Sequence, residues 1–176
     1  NINSNNQAVI SKIVALLVCD LLKSLGLNPK IKWPNDILVN KQKIAGILIQ
    51  NKLKGNLISH SVIGIGLNIN QLNFEEYLPK ATSLQLLLSK EFDIDKIQIQ
   101  LLQFLSDRIK QFRDGFYQEQ EYLSALFLKD KVAAFESAIQ KFMGIIKGVS
   151  QSGKLLIQLE DDSIAKFNNQ EVKFLF

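Results

Sequence analysis

Lys32-Trp33-Pro34-Asn35-Asp36, "KWPND", sets a cation, an indole, a proline, an amide and a carboxylate in five consecutive residues. Two more chemically loaded stretches follow closely: "KIAGIL" from Lys43 to Leu48, and "GIGLNIN" from Gly64 to Asn70. Lys32 and Lys43 can offset phosphate or carboxylate charge, and a lysine can follow charge that develops in a transition state. Asp36 can bind Mg²⁺ directly or through water. Asn35 and Asn68 each offer a donor and an acceptor. Gly46, Gly64 and Gly66 let a ligand approach the backbone. Together these types suit a site that holds something anionic. A plainer reading stands beside it, in which Asp36 caps a turn, Lys43 ends a solvated strand and the paired glycines mark a bulge.

Other chemistries find little support. There is no CxxC, HExxH, phosphate-binding Walker loop or GxSxG, and the single histidine, His60, lies in an ordinary strand-like stretch. Nucleophilic hydrolysis therefore has no good candidate. The one cysteine, Cys19, sits in the apolar run "IVALLVCDLL", which suits a small buried hydrophobe and a reducing, cytoplasmic setting.

Hydrophobic periodicity indicates the elements that must position these residues. Ile10, Ile13, Val14, Leu17, Val18, Leu21 and Leu22 form a wide helical stripe, which predicts a helix over Gln7–Leu25, capped by Asn5 or Asn6 and ended by Gly26. Strands are expected at Lys30–Trp33, Ile37–Asn40, Lys43–Lys52 and Ile58–Ile69, with turns at Lys41-Gln42 and Lys54-Gly55-Asn56. Tyr77-Leu78-Pro79 reads as loop. Thr82 or Ser83 opens a short helix through Ser89, Asp93 caps a long one from Ile94 to about Phe112, and Gln118–Leu128 reads as another. Beyond about residue 130 the texture becomes a meander of short antiparallel strands. The expected division is 1–129 and 130–176. Strands joined by short turns lie side by side, so the three motifs should line one cleft.

The 176 residues carry 47% apolar and 22% charged side chains, an average globular composition. The net charge of +4 suits an anionic small ligand and is too scattered to indicate nucleic acid. The apolar run Ile13–Val18 is far too short to span a bilayer.

"KWPNDILVN", "KIAGILIQ" and "VIGIGLNIN", in this order and close spacing, resemble the catalytic core of biotin protein ligases. The resemblance implies an α+β fold: a mixed or antiparallel sheet with helices, of the class II synthetase-like biotin/lipoate ligase type and truncated at its N-terminus. A small SH3-like β-barrel follows it. It also implies an activity. Such enzymes form biotinyl-5′-AMP from biotin and MgATP, then transfer biotin to one lysine of a biotin carboxyl carrier domain. By that resemblance Lys43 matches the catalytic lysine, and Lys32, Asn35 and Asp36 match the nucleotide side. Asp36 is the candidate for Mg²⁺ or the acceptor lysine. Ala45 and Gly46 match the strand behind biotin, and Gly66 and Asn68 the segment near the adenylate. Trp33 is expected in the core rather than against adenine. The C-terminal barrel is expected to close over the nucleotide, in a monomer or homodimer.

The family also carries a Gly/Arg-rich loop, GxGRxGRxW, upstream of the first helix. The sequence begins "NINSNN", after that point, so it is expected to be a piece of a full ligase, and this span by itself to have weak or no activity. The alternatives are a lipoate or octanoate ligase or transferase, and a non-catalytic module that holds a carrier domain or a nucleotide. A biotinyl-adenylate-dependent repressor would need a DNA-binding segment that this span does not contain.

Overall fold

The computed structural model describes residues 2–75, 80–116 and 118–176. The expected loop Tyr77-Leu78-Pro79 lies outside the described residues. The motif-bearing sheet grows by consecutive hairpins: β2 (Pro29–Lys32), β3 (Asp36–Val39), β4 (Gln42–Lys54) and β5 (Leu57–Leu67). A two-residue strand, β1 (Ile2–Asn3), pairs with the start of β5, giving the antiparallel order β1-β5-β4-β3-β2. The β3–β4 turn is Asn40-Lys41 rather than Lys41-Gln42. Both residues take positive φ, 51° and 63°, the conformation that matches the twist of a two-residue hairpin.

Alternation along the strands sorts the side chains into cross-strand rows. Ile31, Ile37, Ala45 and Leu67 form one row and face the first helix, α1 (Ala8–Ser24). The residues one step along point to the opposite face. Val14 to Cys19 of α1 are all buried, because the helix is covered by the sheet on one side and by α3 (Ile94–Arg113) and α4 (Glu119–Ala125) on the other. That double covering explains its unusually wide apolar stripe. The expected Asn5 or Asn6 cap is not used. Asn3 instead caps a 3-10 turn at Ser4–Asn6 that leads directly into the helix.

Ser83 caps α2 (Leu84–Leu88) and Asp93 caps α3, as their sequence positions indicate. The helix α4 stops well short of Leu128. Leu126 turns extended, and the Phe127 N–H donates to the Ile31 carbonyl at 2.8 Å, so tertiary pairing with β2 overrides helix propensity. Between α3 and β5 lies a groove of about 370 Å³ lined by apolar side chains, Ile63, Leu67, Ile94 and Leu102 among them.

The second sheet holds β6 (Val132–Ser137), β7 (Lys141–Val149), β8 (Leu155–Gln158), β9 (Ile164–Phe167) and β10 (Val172–Leu175). Its order is β10-β6-β7-β8-β9, so the last strand returns beside the first and the sheet departs from the expected meander. Gly144 is required here, since a Cβ would lie 2.5 Å from the Ile157 Cγ2 atom.

Trp33 joins the two sheets. It is 4% exposed, and its Nε1–H donates to the Gly153 carbonyl at 2.9 Å. Trp33→Phe keeps the ring packing and loses that bond. We expect a cost of about 1 kcal/mol, read as a lower urea midpoint with an unchanged slope. Among the described residues, no helix is long and apolar enough to cross a membrane.

Candidate active site

Lys32, Asp36, Gly46 and Gly66 are successive cross-strand partners and form a single row over β2, β3, β4 and β5. The row lies on the face away from α1. Half of it is charged and half is bare backbone. A Cβ on Gly66 would meet only the Gly46 carbonyl, at 3.9 Å, and one on Gly64 only Leu48, at 3.8 Å. Among the described residues nothing else comes within 4 Å of those Cβ positions, so a ligand could lie directly on the backbone there.

Lys43 joins this face through a β-bulge. Regular pairing from Asp36↔Gly46 would set Lys43 opposite Val39 and aim it into the core. The register instead pairs Leu38 with Lys43 and leaves Ile44 as the extra residue. That insertion reverses the alternation, buries both Ile44 and Ala45, and turns Lys43 onto the face of Asp36. The bulged segment is held from outside. The Lys43 N–H donates to the Lys80 carbonyl at 2.7 Å, Thr82 N–H donates to the Lys43 carbonyl at 2.9 Å, and Asn68 N–H donates to the Ile44 carbonyl at 2.9 Å.

Two ammonium groups flank one carboxylate. Lys43 Nζ lies 2.5 Å from Asp36 Oδ1, and Lys32 Nζ lies 3.7 Å from Asp36 Oδ2. The carboxylate is 19% exposed, whereas the Lys43 side chain is 47% exposed. Gly46 makes room for the pair, since a Cβ there would stand 3.4 Å from both Lys43 Cε and Nζ. Asp36 therefore holds Lys43 at the boundary of the open space, with its ammonium free to meet an anion.

The remaining predicted residues are placed differently. Asn35 is fastened to β4: its Nδ2 donates to the Ile47 carbonyl at 3.0 Å, and its own carbonyl accepts from Ile47 N–H at 2.9 Å. Asn68 donates through Nδ2 to the Thr82 carbonyl at 2.9 Å, which ties the end of β5 to the segment beside Lys43. Ala45 is buried in the α1-facing row, so only its backbone borders the site face. The donor set does not fit a resident Mg²⁺ on Asp36, because each of its oxygens faces an ammonium. Among the described residues, no three His, Cys, Asp or Glu side chains converge on a metal position.

Sequence reasoning missed two features near or behind this site. One is an aromatic seat from β10: the Lys32 ammonium lies 5.7 Å from the Phe174 ring centroid and 5.4 Å from that of Phe176. The other is a buried ion network. Arg108 of α3 is 7% exposed and donates to both Asp20 oxygens, at 2.6 and 2.7 Å, and to both Glu121 oxygens, at 2.6 Å. The Arg108 hydrogen bonds hold the Glu121 carboxyl below its ordinary value. Burial pushes the Cys19 thiol up to about 12, in keeping with an inert core residue. Lys12 is likewise buried, donating to Glu119 Oε1 and Oε2 at 2.8 and 2.7 Å. No local spacing marks these partners, which lie far apart in the chain.

Residues 2–68, which contain the whole row, match the family described as the biotin/lipoate A/B protein ligase family. That match covers the segment bearing the candidate site, 2–68 of the 176 residues. It is 33% identical to the biotin--[acetyl-CoA-carboxylase] ligase of Mycobacterium tuberculosis over 131 residues, 73% of this chain and 47% of that protein. It is 27% identical to the bifunctional ligase/repressor BirA of Escherichia coli over 164 residues, 89% of this chain and 50% of that protein. The chain thus spans about half the length of these curated ligase relatives. Its fold resembles that of the biotin protein ligase from Aquifex aeolicus in complex with biotin and ATP. The TM-score is 0.77 at 23% identity, over 97% of this chain and 72% of that chain. The α+β architecture with antiparallel sheets is therefore the fold of that ligase.

Proposed function

We propose that the polypeptide containing this span is a biotin protein ligase. It forms biotinyl-5′-AMP from biotin and MgATP, then passes the biotinyl group to a lysine of a biotin carboxyl carrier domain. The observation that carries this reading is the row Lys32–Asp36–Gly46–Gly66, with Lys43 turned onto it by the bulge. In the first step a biotin carboxylate oxygen attacks the α-phosphorus, the bond to the bridging oxygen breaks, and pyrophosphate leaves. Two anions must meet, so the barrier falls with fixed positive charge in a site of low water content. Lys43 supplies that charge to the carboxylate and α-phosphate, Lys32 supplies it toward the nucleotide, and Asp36 aims both ammonium groups. In the second step the carrier amine attacks the acyl carbon and AMP departs, with Lys43 again offsetting the charge. Mg²⁺ enters as part of the nucleotide substrate. The bare glycines form the floor on which the reacting groups lie.

The same proposal covers the finer architecture. Residues 1–129 would be a class II synthetase-like ligase portion and 130–176 an SH3-like unit, in a cytoplasmic protein. The change at Asp130 from helices to a five-stranded sheet supports the division.

Biotin-dependent ATP–pyrophosphate exchange tests the function. Exchange with biotin and Mg²⁺, and none with lipoate or octanoate, is the expected result; exchange with lipoate alone would give the site to the other branch of the family. Gly66→Val offers a sharper check of the floor. Among the described residues a Cβ there meets only the Gly46 carbonyl, at an ordinary 3.9 Å, so the melting temperature should hold while exchange falls on the order of 10²-fold. A Gly66→Val protein with full exchange would place the reacting groups elsewhere.

A further inference from the structure

We infer that Phe176 is a positioning residue for the nucleotide end of the site, acting through Lys32 and Lys80; this rests on the adenylation reading above. The Phe176 ring meets two ammonium groups, with its centroid 5.4 Å from Lys32 Nζ and 5.6 Å from Lys80 Nζ. Its carbonyl also faces Lys80 Nζ at 3.4 Å. Both lysines are tied to the Lys43 segment. Lys32 shares Asp36 with Lys43, and Lys80 accepts the Lys43 N–H through its backbone carbonyl.

The ring itself is anchored. Its centroid lies 5.0 Å from that of Phe127, a buried residue whose N–H donates to Ile31 on β2. Phe174 adds a second aromatic face to Lys32 from β10. A ring face attracts a cation without neutralising it. The Phe176 ring therefore seats both ammonium groups without itself neutralising them. Polyphosphate is the chemistry this arrangement fits, as two ammonium groups seated on one ring can each meet a phosphate oxygen. The second sheet thereby contributes to affinity for the nucleotide.

Phe176→Leu keeps apolar contact with Phe127 and removes the ring face, whereas Phe176→Tyr keeps it. In exchange assays Phe176→Leu should raise the KM for MgATP about 3–10-fold. The KM for biotin and kcat should stay within about twofold, and Phe176→Tyr should restore the parent values. Combined with Lys80→Met, the loss should be smaller than the product of the single losses, because both changes remove one contact. An unchanged KM for MgATP overturns the inference. So does a parallel loss in all parameters together with a lower melting temperature, the mark of a merely structural role. If the parent protein shows no exchange with biotin, the adenylation reading fails separately. Calorimetric titration with MgATP then decides the role of Phe176: weaker binding by Phe176→Leu supports it. Equal binding, or no binding by the parent, overturns it.

Discussion

Lys43→Ala should abolish most biotin-dependent ATP–pyrophosphate exchange, with a loss on the order of 10²–10³-fold in kcat. The Lys43 side chain is half-exposed at the edge of the open floor, with its ammonium 2.5 Å from Asp36. In the proposed mechanism, removing it takes positive charge from where carboxylate and phosphate meet. Folding should change modestly, since the Lys43 side chain is half-exposed and the more buried Asp36 keeps Lys32 nearby, so a cost of about 1 kcal/mol is expected. Lys43→Arg should restore only part of the rate. The planar guanidinium is broader than an ammonium, and the space over Gly46 is already filled to contact by Lys43 Cε and Nζ. Exchange kinetics with a parallel melting curve separate the two effects. Exchange within about threefold of the parent in Lys43→Ala would remove Lys43 from the chemistry.

Arg108→Met should be the most destabilising of the substitutions considered, at about 3–5 kcal/mol. The guanidinium bridges Asp20 of α1 and Glu121 of α4 from its place on α3, and is itself buried. Without it, the largely buried Asp20 and the half-buried Glu121 lose their shared cation. Urea unfolding would measure the loss, and a midpoint unchanged from the parent would show that the network contributes nothing. Replacing Asp20 and Glu121 by their amides in the same protein should recover part of the stability, because the cost comes mainly from uncompensated charge. The pH dependence has a definite sign. The folded-state value of Glu121 is depressed by Arg108, so its contribution is complete above the ordinary 4.5 and is lost as pH falls through the lower folded value. Arg108→Met should flatten that acid limb. Exchange activity, at temperatures where the protein stays folded, should survive, since the network lies behind α1 rather than on the site face.

Much of this protein is legible from local pattern. The stripe from Ile10 to Leu22 is a helix, Asp93 and Ser83 cap the helices they precede, and the β2–β5 hairpins follow from apolar runs punctuated by turn residues. The motifs gather on one sheet because short connections leave consecutive strands no other economical arrangement. The glycines at 64 and 66, odd for a strand, find their reason in an open floor. Where local reading failed, a distant partner had intervened. The helix α4 ends early because Phe127 pairs with Ile31, and β10 crosses back to β6.

The sequence alone determined the residue types and their strand positions, because these follow from spacing within a few residues; the ligase chemistry is what the resemblance of the three motifs implies. Tertiary structure decided which way the decisive side chain points. Period-two alternation carries Lys43 into the core; one extra residue at Ile44 brings it out, and that bulge is supported by hydrogen bonds from Lys80, Thr82 and Asn68. It also decided that Phe174 and Phe176 meet Lys32, and that Arg108 meets Asp20 and Glu121. Such contacts depend on how separate elements pack, and a local pattern carries no record of residues a hundred positions away.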